Sequence, residues 1–90
     1  MDMEGQFDKL KIQLDLQEWP RLYLFKFISP SDNKKIALIT GMFDENSDIK
    51  IRPSSKGTYT SISVKEVMMS SERVIDLYEK ASKIDGVIIL

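Results

Sequence analysis

The chain has 90 residues, of which 42% are hydrophobic and 30% charged, and its 13 basic and 14 acidic residues give a formal net charge of −1. This size and composition are typical of one small globular unit, and the balanced charge creates no field that would attract nucleic acid. The sequence contains no cysteine and no histidine. Disulfides and thiol nucleophiles are thereby excluded, and the commonest metal ligand and general base are missing. We therefore expect a protein without enzymatic activity, bound metal or cofactor.

The N-terminal stretch MDMEGQFDKL is acidic and polar, whereas a secretory signal begins with basic and then apolar residues. The longest apolar runs, 36–39 and 87–90, are far too short to cross a bilayer. We expect a cytoplasmic protein that does not bind or span membranes.

Residues 1–18 carry a weak helical pattern, in which Phe7, Leu10 and Leu14 recur at helical spacing. Pro20 disfavours helix at Trp19 and closes the pattern. We interpret residues 1–18 as a lead-in segment and residues 19–90 as the folded α+β domain.

The stretch LYLFKFI, residues 22–28, is rich in aromatic and branched residues and predicts a strand. Tyr23, Phe25 and Phe27 share one side of it, and Leu22, Leu24, Lys26 and Ile28 share the other. The aromatic side is expected to face the core.

The next segment predicts a helix of about three turns that begins at Ser29 and Pro30, since proline is favoured in a first helical turn. Ile36, Ile39 and Phe43 form its apolar stripe. Gly41 is expected to lie inside this helix.

Two half-buried strands are predicted next, because DIKIRP (48–53) and YTSISV (59–64) both alternate apolar and polar residues. Continued alternation would place Glu66 on the buried side and Val67 outside. Either a bulge near Lys65 or the end of the core would resolve this conflict.

The clearest helix follows, with Ser70 or Ser71 as N-cap and a stripe of Val74, Leu77, Tyr78 and Ala81. VIIL (87–90) then predicts a fourth strand. The element order favours a ferredoxin-like βαββαβ fold, in which one antiparallel sheet of spatial order 4-1-3-2 carries two helices on one face.

The octet RPSSKGTY, residues 52–59, joins the second and third strands and has two interpretations. Proline, serine and glycine each suit a hairpin tip. Alternatively, its serine-rich bend and basic side chains form a small anion-binding nest or a partner contact. The candidate ligand or partner residues are Arg52, Ser54, Ser55, Lys56, Gly57 and Tyr59.

Two functions that the octet suggests are disfavoured by the sequence. A serine–lysine nucleophile, at Ser47 with Lys50 or at Ser55 with Lys56, lacks the burial that would make lysine a base at neutral pH. An RNA-recognition motif needs aromatics on the third strand, where this chain has Thr58, Thr60 and Ser63.

The residues WP (19–20), PSSKGTY (53–59), LYE (77–79) and KID (83–85) resemble the YbeD-like family of small bacterial proteins of unknown function. The resemblance implies a ferredoxin-like fold similar to ACT-type regulatory domains, and it supplies no catalytic residues. It favours a non-catalytic regulatory or ligand-sensing module. A protein–protein interaction adaptor acting as a homodimer is the alternative, and a small serine–lysine enzyme is the third hypothesis.

The last strand is expected to lie at an edge of the sheet, where an apolar strand without charges invites pairing. We expect a second copy of the chain, or residues 1–18, to cover it. The predicted binding partners are a second copy of the chain, another protein or a small anionic ligand. Nucleic acid is not expected to bind.

Overall fold

The computed structural model describes residues 5–90, which form a four-stranded antiparallel sheet with three helices. The elements, in chain order, are α1 (Asp8–Asp15), β1 (Arg21–Pro30), α2 (Asn33–Thr40), β2 (Asp48–Pro53), β3 (Tyr59–Met68), α3 (Ser71–Ser82) and β4 (Ile88–Ile89). The strands are arranged in the order β2-β3-β1-β4. This is the predicted 4-1-3-2 order read from the opposite side, and the ferredoxin-like α+β fold is confirmed.

The two central strands form the longest ladder of the sheet. Ten consecutive residues of β1 pair with ten of β3, from Arg21 opposite Met68 to Pro30 opposite Tyr59. β2 pairs with the outer side of β3, and β4 pairs with β1 through only two residues. Both edges of the sheet are therefore short strands.

The core lies between this sheet and the helices. Phe25 and Phe27 of β1 are fully buried, as are Ile62 and Val64 of β3, and the predicted stripe of α3 packs against them. The ring of Phe25 lies 5.4 Å from that of Tyr78 and 5.0 Å from that of Phe43. The aromatic side of the first strand is thus the core side, as the sequence predicts.

At the rim of the core, the hydroxyls of Tyr23 and Tyr78 are hydrogen-bonded at 2.9 Å. Burial, together with this hydrogen bond, raises the pKa of the Tyr78 phenol above its ordinary value. The phenol therefore stays neutral and anchors the half-buried Tyr23 to α3.

α1 packs on α3 through Leu14, which is buried in the core. Lys11 pairs with Asp15 at 2.9 Å, and Asp15 also accepts a hydrogen bond from Ser71 at the start of α3. The Ser71 hydroxyl and then Lys11 hold the pKa of this carboxyl below its usual range. The helical pattern noted around Phe7, Leu10 and Leu14 thus corresponds to a helix docked on α3.

The predicted start of the second helix was wrong. Pro30 is the last residue of β1, and Asp32 is the N-cap, its carboxylate accepting a hydrogen bond from the Lys34 amide at 2.8 Å. The helix has eight residues and ends with Gly41 at its C-cap, so this glycine does not lie inside it. Pairing of Pro30 with Tyr59 extends the strand as far as the proline, and the Asp32 side chain then supplies a better cap.

Alternation along β3 predicts that the charged Glu66 lies on the buried side, and neither a bulge nor the end of the core explains this position. The β1–β3 register continues through this position without a bulge, and Met68 beyond it is buried. Glu66 lies on the core side but is only half-buried, and its carboxylate accepts a hydrogen bond from the Asp44 amide at 2.9 Å. Glu66 avoids the cost of burying an unpaired charge, because its side chain is only half-buried and accepts a hydrogen bond from a backbone amide.

Replacement of Phe25 by alanine tests the assignment of the core. We expect Phe25→Ala to lower the free energy of unfolding by about 3–5 kcal/mol, because the ring is fully buried. Leu24→Ala is the matched control: its side chain points to the other face of the sheet and is 54% exposed, so a loss below about 1 kcal/mol is expected. Urea unfolding followed by circular dichroism measures both. Equal losses would show that the two sides of β1 are assigned wrongly.

Candidate functional site

The octet forms the tip of the hairpin between β2 and β3. The Gly57 amide donates to the Ser54 carbonyl at 2.9 Å, and the Ser54 amide donates to the Tyr59 carbonyl at 2.7 Å. Gly57 has a φ of +73°, and the Ser54 hydroxyl accepts a longer hydrogen bond from the Tyr59 amide. Ser54 and Gly57 thus have structural roles in closing the turn.

The same hydrogen bonds limit what the tip can hold. A nest binds an anion through successive backbone amides that point to one place. Here the amides of Ser54, Gly57 and Tyr59 are already engaged within the hairpin. The charged side chains of Arg52 and Lys56, both exposed, are the groups of the octet best placed to attract an anion.

The two ends of the octet belong to the sheet. Arg52 is paired with Ser61 across β2 and β3, and the Ser61 hydroxyl donates to the Arg52 carbonyl. Tyr59 stands two residues before Ser61 on the same side of β3. The structure therefore separates the candidate residues: Arg52 and Tyr59 lie on a face of the sheet, whereas Ser54, Ser55, Lys56 and Gly57 form the tip.

That face is the side of the sheet opposite the helices, and we call it the open face. Register and alternation assign these side chains to it: Leu22, Leu24, Lys26, Ile28, Asp48, Lys50, Arg52, Tyr59, Ser61, Ser63, Lys65, Val67, Ile88 and Leu90.

Several large apolar side chains of the open face are accessible to solvent. Leu22 is 60% exposed and Val67, directly opposite it, is 57% exposed. Ile88 and Leu90 at the β4 edge are also more than half exposed. Several exposed apolar side chains on one face are typical of interaction sites.

The open face also concentrates positive charge. It carries four basic side chains, Lys26, Lys50, Arg52 and Lys65, and one acidic side chain, Asp48. Its net charge is thus about +3, whereas the whole chain has a net charge of −1. The ion pairs among residues 5–90 lie on α1 and α3, so none of these four cations is paired in the part of the chain that is described.

The serine–lysine pairs do not form a nucleophilic site. The Ser47 hydroxyl donates to the Asp44 carbonyl at 2.6 Å, and Lys50 points to the open face. Ser55 and Lys56 are both exposed at the hairpin tip. Within residues 5–90, no cluster of three or more carboxylates could hold a metal ion. No helix in the same range is long and apolar enough to cross a membrane.

The open face was not among the sites predicted from the sequence. The alternation of β1 already assigns Leu22, Leu24 and Lys26 to one side. Lys50 and Lys65 lie on the same face as these residues only because strands from distant segments pair with each other. In the sequence, the feature that could have indicated the open face is that the second side of β1 is also mostly apolar.

Two glycines with positive φ provide a paired test of the backbone. Gly86 has a φ of +81°, and a Cβ there would lie 2.9 Å from the Pro30 side chain, whereas a Cβ at Gly57 would meet nothing within 4 Å. Alanine at either position adds strain of about 1–2 kcal/mol. We expect Gly86→Ala to destabilise the protein more than Gly57→Ala, measured by urea unfolding, with Ser55→Ala as control. A larger loss for Gly57→Ala would contradict this order.

Comparison with known proteins agrees with the resemblance inferred from the sequence. Two curated proteins, each called UPF0250 protein, come from Shewanella piezotolerans (strain WP3 / JCM 13877) and Shewanella halifaxensis (strain HAW-EB4). Each is 26% identical over 77 residues, which cover 81% of this chain and 88% of the relative. No solved structure shows a significant match. A family model described as "Protein of unknown function (DUF493)" matches residues 15–90. The chain therefore belongs to this family, and its YbeD-like character is confirmed.

Proposed function

We propose that the protein is a non-catalytic regulatory or interaction module that works through the open face of its sheet. The observation that carries this proposal is the uncovered sheet itself. Its outer side presents exposed aliphatic residues and four cations that have no ion-pair partner among residues 5–90, while the three helices of that range lie on the other side. A sheet normally buries an apolar face against another layer, so a partner is the expected third layer.

The similarity to ACT-type regulatory domains supports the same proposal. Such domains regulate by binding small ligands or other chains and perform no chemistry. The arrangement of residues 5–90 is compatible with that role, because the candidate nucleophiles Ser47 and Ser55 have no buried base beside them.

Substitution of Leu24 tests the role of the open face. We expect Leu24→Asp to abolish capture of a specific partner from a cell lysate, because it places a charge in the apolar half of the face. Leu16→Asp is the matched control, since Leu16 is 83% exposed and ends α1, which packs on α3 on the helical side of the sheet. Quantitative mass spectrometry compares the captured proteins. Identical sets for wild type and Leu24→Asp would contradict the proposal.

Ligand sensing at the octet is a second candidate, favoured by the exposed cations Arg52 and Lys56 beside the serine-rich turn. In an NMR titration with phosphate, nucleotides and carboxylate metabolites, the amides of Ser54 to Thr58 are expected to shift. Lys56→Gln should remove these shifts and change stability by less than about 0.5 kcal/mol. Lys83→Gln on the helical side serves as control. Unchanged amides at millimolar ligand would reject this candidate.

Homodimer formation is proposed for the β4 edge. Within residues 5–90, β1 is the one strand that pairs with β4, and the outer side of β4 invites pairing with β4 of a second copy. Pairing through two open faces is disfavoured, because it would bring eight like charges into one interface. Light scattering at high micromolar concentration is expected to give the mass of a dimer, and Ile89→Pro should shift it toward the monomer. A monomer mass for the wild type would contradict the proposal.

A further inference from the structure

The open face is divided lengthwise into two halves of different chemistry. Its β1 and β4 half is mostly aliphatic, with Leu22, Leu24 and Ile88 as examples and Lys26 as its one charged side chain. Its β2 and β3 half carries Lys50, Arg52 and Lys65, together with Asp48 opposite Lys65 and with Val67. The β2 and β3 half is therefore the more basic of the two, with a net charge of about +2.

This division restricts what can cover the face. A second copy would oppose cations with cations, which is unfavourable where water is excluded. Single-stranded nucleic acid binds to sheets mainly by stacking on aromatic side chains, and Tyr59 at the far end is the sole aromatic side chain of the open face among residues 5–90. A protein surface with both acidic and aliphatic side chains matches both halves at once.

The dimensions of the sheet match one helix. β1 and β2 are two strand spacings apart, which is about 9.6 Å, and a helix with its side chains is about 10–12 Å wide. A helix lying along the strands would place an apolar stripe over β1 while a flanking row of carboxylates reaches Lys50 and Lys65.

We propose that the open face binds an acidic amphipathic helix of another protein, with its leucine-type stripe over β1 and its carboxylates over the β2 and β3 half. This inference rests on the proposed interaction function and specifies the chemistry of the partner. The charged contacts select acidic helices, and the apolar contacts supply most of the affinity.

The test uses two synthetic peptides of about 18 residues, which are about 27 Å long as helices and so cover the roughly 20 Å of β1 between Leu22 and Ile28. Both carry the same leucine stripe, and one is flanked by glutamate where the other has lysine. Fluorescence anisotropy measures binding to the full chain. The glutamate peptide is expected to bind at least about tenfold more tightly than the lysine peptide, and raising the salt from about 50 to about 300 mM should weaken it, because the contacts are exposed to ions.

Charge-neutral variants locate the binding surface. Lys50→Gln and Lys65→Gln are each expected to weaken the glutamate peptide about twofold to fivefold, as exposed ion pairs do. Lys83→Gln on the helical side removes the same charge from the chain and should leave binding unchanged. In NMR spectra, the affected amides should belong to β1 and β3.

Equal affinity for the two peptides, or an equal loss with Lys83→Gln, would overturn the proposal. Tighter binding of a single-stranded RNA oligonucleotide than of the glutamate peptide would overturn it in favour of nucleic acid. If the glutamate peptide fails to bind but capture from lysate still depends on Leu24, the partner chemistry is wrong and the interaction function stands. If neither binding of the glutamate peptide nor capture from lysate depends on the open face, both proposals fail.

Discussion

The burial of the aromatic side of β1 is the constraint on which the rest of the structure depends. Phe25 and Phe27 are fully excluded from water, and their rings contact Phe43 in the loop after α2 and Tyr78 in α3. Buried aromatic rings remove a large apolar area from water and therefore dominate the energetics of a core. Because Phe25 and Phe27 point to one side of the sheet, the helices pack on that side, and no helix of residues 5–90 covers the opposite side.

The open face follows from this asymmetry, and its chemistry distinguishes it from an ordinary solvated sheet surface. A solvated side of an antiparallel sheet is usually polar throughout. Here Leu22, Leu24 and Val67 lie where polar residues are expected, and the nearby cations have no carboxylate partners among residues 5–90. The apolar side chains disfavour a purely solvated surface, and like charges on the cations disfavour pairing of two open faces. The combination favours a partner of complementary charge.

The octet that stands out in the sequence has a more modest place in the structure. Ser54 and Gly57 close a hairpin, and the amides of Ser54, Gly57 and Tyr59 are engaged in that turn. Its basic and aromatic ends, Arg52 and Tyr59, extend the open face toward the hairpin tip. The octet and the sheet surface are thus parts of one continuous exposed region, which a single partner could contact.

The sequence by itself determined the order of elements and the core side of β1, β2 and β3, because alternation is a local property. It narrowed the cap of α3 to Ser70 or Ser71, and the structure has Ser70 as the N-cap. It predicted the start of α2 wrongly, since the pairing of Pro30 with Tyr59, 29 positions away along the chain, extends β1 beyond its local signal. The environment of Glu66 was decided by the amide of Asp44 in a separate loop. The open face was likewise decided by tertiary structure. Lys26 and Lys50 are 24 positions apart, and only the register of β1, β3 and β2 places them in one row with Ser63. Patterns within a segment show which side of a strand is apolar, but the long-range pairing of strands decides which charges meet on its other side.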